Sequence, residues 1–387
     1  MSHSFSFTSV ANVEFAAGAA KKLPQISQKL GVTRPLVVTD QGIIACGLLE
    51  STLAGFEQTG VGVTVYADVV ADPPEQNILE ALSIAKAANC NGVIGFGGGS
   101  SMDVAKLLAV LLNTDQTLSE MYGVEMVKGQ RLPLIQVPTT SGTGSEATAV
   151  AIVTTGESTK AGVVSPVLFA DQIVLDPELT LGLPAHVTAA TGIDAMVHAI
   201  EAFTSKRLKN PLSDMVALEA LRLLSANIEM AVKQGDDLQA RSDMLLGAML
   251  AGQAFANAPV GAVHALAYPL GGTYHIPHGL SNSLVLPHVI RFNSSVAADM
   301  YLQIAQHLHG LDHTSLNAES VGDALASYFF EMAADLGLQT SLAQMNIKQA
   351  ALPDLAEQSM HQQRLLINNP RDVSYDDALL IYQQAYG

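Results

Sequence analysis

One carboxylate and three imidazoles in this sequence have the residue types of a metal centre. Asp194 and His198 lie four residues apart in a segment with helical periodicity, so both side chains share one helix face. His264 and His278, much later in the chain, would complete a set of four ligands. Because the set contains no cysteine, it favours a divalent cation with nitrogen and oxygen ligands and an open position over a closed structural zinc site.

These residues also have a simpler interpretation. The helix face that carries the first two is a polar stripe made of Asp194, His198, Glu201 and Ser205. A solvated face of an amphipathic helix would show the same stripe. His264 lies among small apolar residues, where a backbone carbonyl could bind its ring as well as a cation could. His275, three residues before His278, competes with it as a ligand.

Composition and charge limit the classes of protein that this chain can be. Its 387 residues, 49% of them hydrophobic, predict a globular protein with a large core and two domains. A formal charge of −17 repels nucleic acid and anionic membranes, so we expect neither as a partner. The sequence shows no secretory signal pattern, no apolar run near the roughly 20 residues of a membrane span, and only two cysteines, Cys46 and Cys90. We therefore expect a cytoplasmic protein without disulfides.

The secondary structure that must position the candidate ligands is predicted to change near residue 180, from alternating strands and helices to helices alone. Strands are predicted at 35–40, 61–66, 92–96 and 132–137, with helices at 46–56, 76–88 and 100–112 between them. This alternation predicts a mostly parallel sheet covered on both faces. Two further β-branched runs, 148–155 and 163–174, indicate a hairpin or an edge.

The second part of the chain is predicted to be helical. The expected helices are 188–205, 212–232, 237–257, a kinked piece at 260–270, 296–309, 318–336, 346–356 and a last one after Ser374, which opens a capping box. The sequence thus predicts an α/β N-terminal domain over residues 1–180 with a mostly parallel sheet, and an all-helical C-terminal domain over residues 181–387.

Two polar or glycine-rich stretches follow predicted strands. Residues 95–103 form a glycine-rich turn from the third strand into a helix, where a phosphate can approach the backbone and the helix N-terminus. The turn departs from the usual dinucleotide fingerprint, because its plausible acid, Asp40, lies upstream at the end of the first strand. Asp40 has an alternative role as a turn or cap residue. The hydroxyl-rich residues 138–146 could bind a pyrophosphate or ribose, or form an ordinary solvated loop.

Four motifs in this order resemble those of the iron-containing (group III) alcohol dehydrogenase family. They are GFGGGSSMDVAK, PTTSGTGSE, TGIDAMVHAIEAF and GAVHALAYPLGGTYHIPHGLSN. The resemblance runs over nearly the whole chain and is strongest over residues 90–290. It implies a dehydroquinate synthase-like architecture, with a nucleotide-binding α/β domain, a helical domain and a divalent metal in the cleft between them.

The resemblance also implies roles for individual residues. The implied metal ligands are Asp194, His198, His264 and His278. The implied cofactor contacts are Gly97, Gly98, Gly99 and Ser100 at the pyrophosphate, with Thr139, Thr140, Thr143 and Lys160 along the cofactor. Asp40 matches the family acid near the adenosine ribose. Because a carboxylate there accepts from the 2′ and 3′ hydroxyls and repels a 2′-phosphate, we expect NAD over NADP. The family name favours Fe²⁺, with Zn²⁺ as the alternative.

The proton relay is less certain from the resemblance. Several family members carry a histidine, proposed as the relay, where this chain has Tyr268. A tyrosine hydroxyl can pass a proton, but its usual pKa of about 10 makes it a poorer base at neutral pH. His275 is the alternative relay, and we expect it to serve in this role.

The predicted activity is hydride transfer between a small neutral alcohol, or its aldehyde or ketone, and NAD. No lysine or arginine lies between Arg241 and Arg291. A phosphorylated substrate would need such a positively charged side chain to bind its phosphate. The alternatives are a hydroxyacid-oxoacid transhydrogenase with resident NAD, a dehydroquinate synthase-like lyase, and a metal- or nucleotide-binding protein without catalysis. The family resemblance favours a homodimer.

Overall fold

A computed structural model describes residues 4–156 and 159–387 of the chain. These residues divide into two compact units, Thr8–Gly182 and Leu183–Gly387, and the short segment that ends at Phe7 groups with the second unit. The first unit contains strands and helices, and the second is helical. The predicted fold class is therefore confirmed.

The first unit alternates strands with helices. The strands are β1 (Val13–Phe15), β2 (Pro35–Val38), β3 (Thr64–Tyr66), β4 (Gly92–Gly97), β5 (Gly123–Val124), β6 (Leu134–Pro138), β7 (Val150–Thr155), β8 (Thr159–Val164) and β9 (Gln172–Leu175). The helices are α1 (Leu23–Lys29), α2 (Gln41–Ala45), α3 (Glu50–Gln58), α4 (Glu75–Ala87) and α5 (Gly99–Leu111).

Six of these strands form one parallel sheet in the order β1-β9-β6-β4-β2-β3. Every residue of β2, β4 and β6 is buried, as expected for a parallel sheet with both faces covered. The chain runs from β2 to β3 on one side and then returns through α4 to β4 on the other side of β2. In open sheets of this kind, ligands bind at the carboxyl ends of the strands where the order reverses. That point lies between β2 and β4.

The two later β-branched runs form different structures. The first forms β7, which pairs with β8 as an antiparallel hairpin, and β5 extends this small sheet in parallel. The second run contains the end of β8 and most of β9. The prediction of a hairpin or edge is wrong for β9, because this strand lies inside the main sheet between β1 and β6. β1 was not predicted, because its three residues are too few to show the alternation of apolar and polar residues that identifies a strand.

The second unit is a bundle of helices. They are α6 (Ala185–Thr204), α7 (Pro211–Lys233), α8 (Leu238–Asn257), α9 (Ala262–Tyr274), α10 (His278–Ala305), α11 (Val321–Asp335), α12 (Leu352–Met360), α13 (Gln363–Leu366) and α14 (Tyr375–Tyr386). α6 is buried along nearly its whole length and packs against α7, α8 and α10. A helix that is apolar on most sides is a central element, so the polar residues that α6 does carry are of special interest.

One helix is much longer than predicted. A helix was expected only over 296–309, but α10 runs without interruption from His278 to Ala305 and contains Pro287. The predicted helix began too late in the chain because Gly279 and Pro287 are residues that usually interrupt helices. The buried packing of the first half of α10 outweighs both preferences.

Within the described residues, no single helix has the length and hydropathy needed to cross a membrane; α8 and α9 pass that test only as a pair, and the chain bends by 108° between them.

Candidate functional site

The helical unit brings the four predicted metal ligands together. One potential ligand atom from each of Asp194, His198, His264 and His278 lies within 4.8 Å of the others. Donor atoms about 2.1 Å from a tetrahedral cation lie about 3.4 Å from one another, so small side-chain rotations suffice to close this cluster on one ion. The first three residues are buried, whereas 41% of the His278 side chain is exposed. The cluster is thus open on one side.

Helix α6 supplies two members of the cluster and orients them. Asp194 and His198 lie one turn apart on α6. The imidazole of His198 stacks on the ring of Phe255 from α8, with 4.5 Å between centroids, and on the ring of His264 at 4.7 Å. Stacking against two rings restricts the rotation of His198. Phe255 was not identified from the sequence.

The other two members lie in the first turns of α9 and α10. His264 is the third residue of α9, and His278 is the first residue of α10. The glycine that follows His278 is required by packing, because a Cβ on Gly279 would lie 2.4 Å from the carbonyl oxygen of Ala190. Gly279 therefore lets α10 begin directly against α6, beside Asp194.

An amide from α10 completes the inner face of the cluster. Nδ2 of Asn282 donates a hydrogen bond to Oδ1 of Asp194 at 2.6 Å and lies 3.3 Å from Nε2 of both His264 and His278. Burial alone raises the pKa of the Asp194 carboxyl, but the imidazoles of His198, His278 and His264 and the amide of Asn282 outweigh it and lower the pKa. Asp194 is consequently held as a carboxylate, the form that binds a cation.

The polar stripe on α6 is not a solvated face. Its four members, Asp194, His198, Glu201 and Ser205, are all at least 94% buried. Oε2 of Glu201 lies 2.5 Å from Nδ1 of His264, and Oε1 accepts a hydrogen bond from the Val263 amide at 2.7 Å. The interpretation of the stripe as a surface is therefore wrong. Glu201 was noticed in the sequence only as a member of this stripe, and its spacing from His198 was the available signal.

The two candidate proton relays occupy different environments. Tyr268 lies one turn after His264 on α9, and its ring centroid is 6.0 Å from that of His278. His275 ends α9 in the left-handed region, at φ 54°, and its side chain is exposed. The structure thus brings Tyr268 to the cluster and places His275 at the end of the same helix.

In the first unit, the predicted cofactor residues follow three neighbouring strands. Asp40 lies just after β2, and the glycine turn at 97–100 joins β4 to α5. Thr139, Thr140 and Thr143 lie in the loop after β6. Because β2, β4 and β6 are parallel neighbours, their carboxyl ends lie at one edge of the sheet, at the point where the strand order reverses. The amide of Thr139 donates to the carbonyl of Gly97 at 3.0 Å and ties two of the stretches together.

Two glycines of this turn, Gly97 and Gly99, are required by close approach. Gly97 has φ 153°, and a Cβ on it would lie 2.8 Å from Oγ of Ser101. A Cβ on Gly99 would lie 2.9 Å from the methyl group of Thr143. The 13-residue helix α5 begins at Gly99, so its first amides and its dipole are available to an anion at this turn. The residues present therefore fit a pyrophosphate.

Asp40 caps a helix and also faces the glycine turn. Oδ1 accepts a hydrogen bond from the amide of Ile43 at 3.1 Å and caps α2. Oδ2 lies 3.4 Å from the position of a Cβ on Gly97, so the carboxylate also faces the glycine turn.

Two lysines in this unit make firm contacts. Lys160 lies on β8, where its ammonium group binds Asp72 at 2.6 Å and Thr154 at 3.0 Å. Lys106, which sequence reasoning did not single out, is fully buried on α5 and donates to Ser145 at 2.7 Å and Thr148 at 3.0 Å. Burial lowers the pKa of Lys106, while the nearby Asp103 opposes that shift. Lys106 thereby anchors the loop that follows Thr143 to α5.

Known proteins resemble both units. The family described as "Iron-containing alcohol dehydrogenase" matches residues 11–177, and "Fe-containing alcohol dehydrogenase family, C-terminal" matches residues 188–386. Long-chain-alcohol dehydrogenase 1 of Geobacillus thermodenitrificans (strain NG80-2) is 39% identical over 377 residues, which cover 95% of this chain and 93% of that protein.

Solved structures give the same result. Alcohol dehydrogenase from Oenococcus oeni matches with a TM-score of 0.95 and 32% identity, over 99% of this chain and 100% of that chain. Sulfoacetaldehyde reductase from Bifidobacterium kashiwanohense, in complex with NAD⁺, matches with a TM-score of 0.88 and 28% identity, over 99% of each chain. Two matched families, high coverage and a shared fold lead to one conclusion: the chain belongs to the iron-containing alcohol dehydrogenase family.

Proposed function

We propose that this protein is an NAD-dependent alcohol dehydrogenase whose divalent metal is held by Asp194, His198, His264 and His278. The observation that carries the proposal is the convergence of these four side chains within 4.8 Å, three of them buried and one partly exposed. When bound, a cation at such a site acidifies an alcohol and polarises a carbonyl group. Three imidazoles and one carboxylate suit Fe²⁺ and Zn²⁺, and the family name favours iron.

Residues 1–180 are proposed as the NAD domain and residues 181–387 as the metal and substrate domain. Gly97, Gly98, Gly99 and Ser100 would hold the pyrophosphate at the N-terminus of α5, with Thr139, Thr140, Thr143 and Lys160 along the cofactor. Asp40 would accept from the ribose hydroxyls and repel a 2′-phosphate, which favours NAD over NADP. Bound nicotinamide supplies the hydride acceptor or donor. The NAD⁺ complex of the sulfoacetaldehyde reductase supports this assignment.

The substrate is proposed to be a small neutral alcohol or the corresponding aldehyde. The two arginines that flank the region of the later ligands have other partners. Arg241 is buried and donates to Thr188 at 2.8 Å, and Arg291 pairs with Asp323 at 3.0 Å. These partners favour a substrate without a phosphate or carboxylate group that would need an arginine clamp.

Tyr268 is proposed to pass the alcohol proton, with His275 as the alternative. Tyr268 is favoured because its ring lies against His278, whereas His275 is exposed at the end of α9. Tyr268→Phe keeps the ring and removes only the hydroxyl. We expect this variant to change the pH profile of turnover, and His275→Ala to leave it unchanged. The reverse result would assign the relay to His275.

The assembly and location are also proposed. The family resemblance supports a homodimer, which light scattering in solution would test. Both cysteines are free, Cys46 exposed and Cys90 buried, which supports a reducing compartment such as the cytoplasm.

One experiment tests the activity and the metal site together. The purified protein is analysed for bound metals, and NADH formation is measured on primary alcohols, diols and 2-hydroxy acids, before and after chelation. We expect chelation to abolish NADH formation and added Fe²⁺ or Zn²⁺ to restore it. Asp194→Asn should lose both metal and activity, whereas Asp335→Asn, an exposed change on α11, should lose neither. Activity that survives chelation and Asp194→Asn would refute the proposal.

A further inference from the structure

We propose that Glu201 is a positioning residue that holds His264 in the single tautomer able to bind the cation. This inference rests on the proposed metal site. In the described hydrogen bonds, the Glu201 carboxylate contacts the Val263 amide and Nδ1 of His264. Glu201 therefore acts on the cluster through the ring of His264.

The geometry directs one carboxylate oxygen at one ring nitrogen. Glu201 is 6% exposed, and its Oε2 lies 2.5 Å from Nδ1 of His264, which is 3% exposed. Glu201 lies seven residues after Asp194 and three after His198 on α6, so all three side chains share one helix face. A single helix thus carries two ligands and the group that orients a third.

The chemistry of the contact selects the tautomer. A neutral imidazole has one N–H and one lone pair, and an ionised carboxylate can only accept hydrogen bonds. With Glu201 at Nδ1, the proton of His264 resides on Nδ1 and the lone pair on Nε2. Nε2 is the atom that faces the cluster, 3.3 Å from Nδ2 of Asn282. A carboxylate in this position also makes the imidazole a more basic ligand.

The second oxygen of Glu201 has a separable structural role. Oε1 accepts from the amide of Val263, the second residue of α9, at 2.7 Å. Amides in the first turn of a helix have no partner within the helix, so this bond caps α9. Removal of the whole side chain would therefore weaken both the helix and the ligand.

Glu201→Gln separates the two roles. Its amide oxygen can still accept from Val263, while its amide nitrogen would face Nδ1 of His264 as a donor. The ring would then place its proton on Nε2, directed at the other ligands. We expect the metal-free Glu201→Gln protein to unfold at the parent midpoint but to bind metal 10- to 100-fold more weakly, as changes to such outer partners typically do. Glu201→Ala should lower both the midpoint and the affinity.

The experiment measures Zn²⁺ and Co²⁺ affinity by competition with a chelator, and thermal unfolding of the metal-free full chain. Glu219→Gln, at a partly exposed residue of α7 that pairs with Arg222, is the matched control and should change neither quantity. A double-mutant cycle adds the specific test: in a His264→Ala background, Glu201→Gln should have little further effect on affinity.

The outcomes distinguish this inference from the proposed function. An unchanged affinity in Glu201→Gln, or an equal loss with and without His264, would overturn the role of Glu201 while the metal site stands. A parent protein that binds neither metal, or whose affinity is insensitive to Asp194→Asn, would overturn the proposed site and this inference with it.

Discussion

The packing of α10 against α6 is most directly tested by Gly279→Ala. The added Cβ would lie 2.4 Å from the carbonyl oxygen of Ala190, whereas ordinary carbon–oxygen contacts are about 3.3 Å or longer. Since both atoms belong to helix backbone or are fixed to it, α10 must move by about 1 Å at its first turn. His278 is the neighbouring residue, so its imidazole moves with the helix. We expect the free energy of unfolding of the metal-free protein to fall by about 1–3 kcal/mol, the usual cost of overpacking.

The same movement should weaken metal binding by roughly 10- to 100-fold, because one of the four ligands is displaced. Metal affinity is measured by competition with a chelator, and stability by urea unfolding of the metal-free protein. Gly271→Ala on α9 is the control, since its Cβ would meet its nearest neighbour, the carbonyl oxygen of Ile276, at an ordinary 3.5 Å. If Gly279→Ala matched the parent in both measurements, the argument that glycine is required at this contact would be refuted.

Three further predictions concern the cofactor turn and pH stability. Asp40→Asn keeps the cap on α2 but removes the charge, so the ratio of kcat/KM for NAD to that for NADP should fall roughly 10-fold; an unchanged ratio would contradict the ribose role of Asp40. Gly99→Ala should raise the Kd for NAD about 10-fold without changing metal affinity, and adding Thr143→Ser should restore part of the loss, because that change removes the methyl group met at 2.9 Å. Burial lowers the pKa of His288 to about 4, so between about pH 6.5 and 4 the unfolded chain binds the proton first and stability is lost as pH falls. The free energy of unfolding, measured in urea, should fall between pH 7 and pH 4 by up to about 3 kcal/mol less in His288→Leu than in the parent. The control His361→Leu, at an exposed histidine, should show the same fall as the parent.

Local periodicity was enough to predict some parts of the site. The spacing of Asp194 and His198 places them on one helix face, and Ser374 does open a capping box with Asp377. The glycine turn was recognisable because a strand and a helix flank it. The approach of His264 and His278 to α6 depends on how three helices pack, and the hydrophobic periodicity of one helix carries no information about that packing. The residue types suggested the set of four ligands, and the family resemblance supported it.

Other features carry no distinctive local signal. Glu201 has the same pattern on a solvated face as on a buried one, and only tertiary packing makes it a partner of His264. Asn282 is an amide in an apolar helix, and its role depends on the carboxylate of Asp194 reaching it. α10 was predicted too short because Pro287 is unfavourable locally, while the burial that compensates for it comes from other helices.

The confinement of all four candidate ligands to the helical unit has a thermodynamic consequence. A ligand stabilises only the structure that must be intact to bind it, by about 4 kcal/mol at 1,000 times its Kd. The cation and the dinucleotide would therefore protect different parts of the chain against unfolding, the first acting on Leu183–Gly387 and the second on Thr8–Gly182. Hydrogen exchange in the presence of each ligand alone would show which unit that ligand protects.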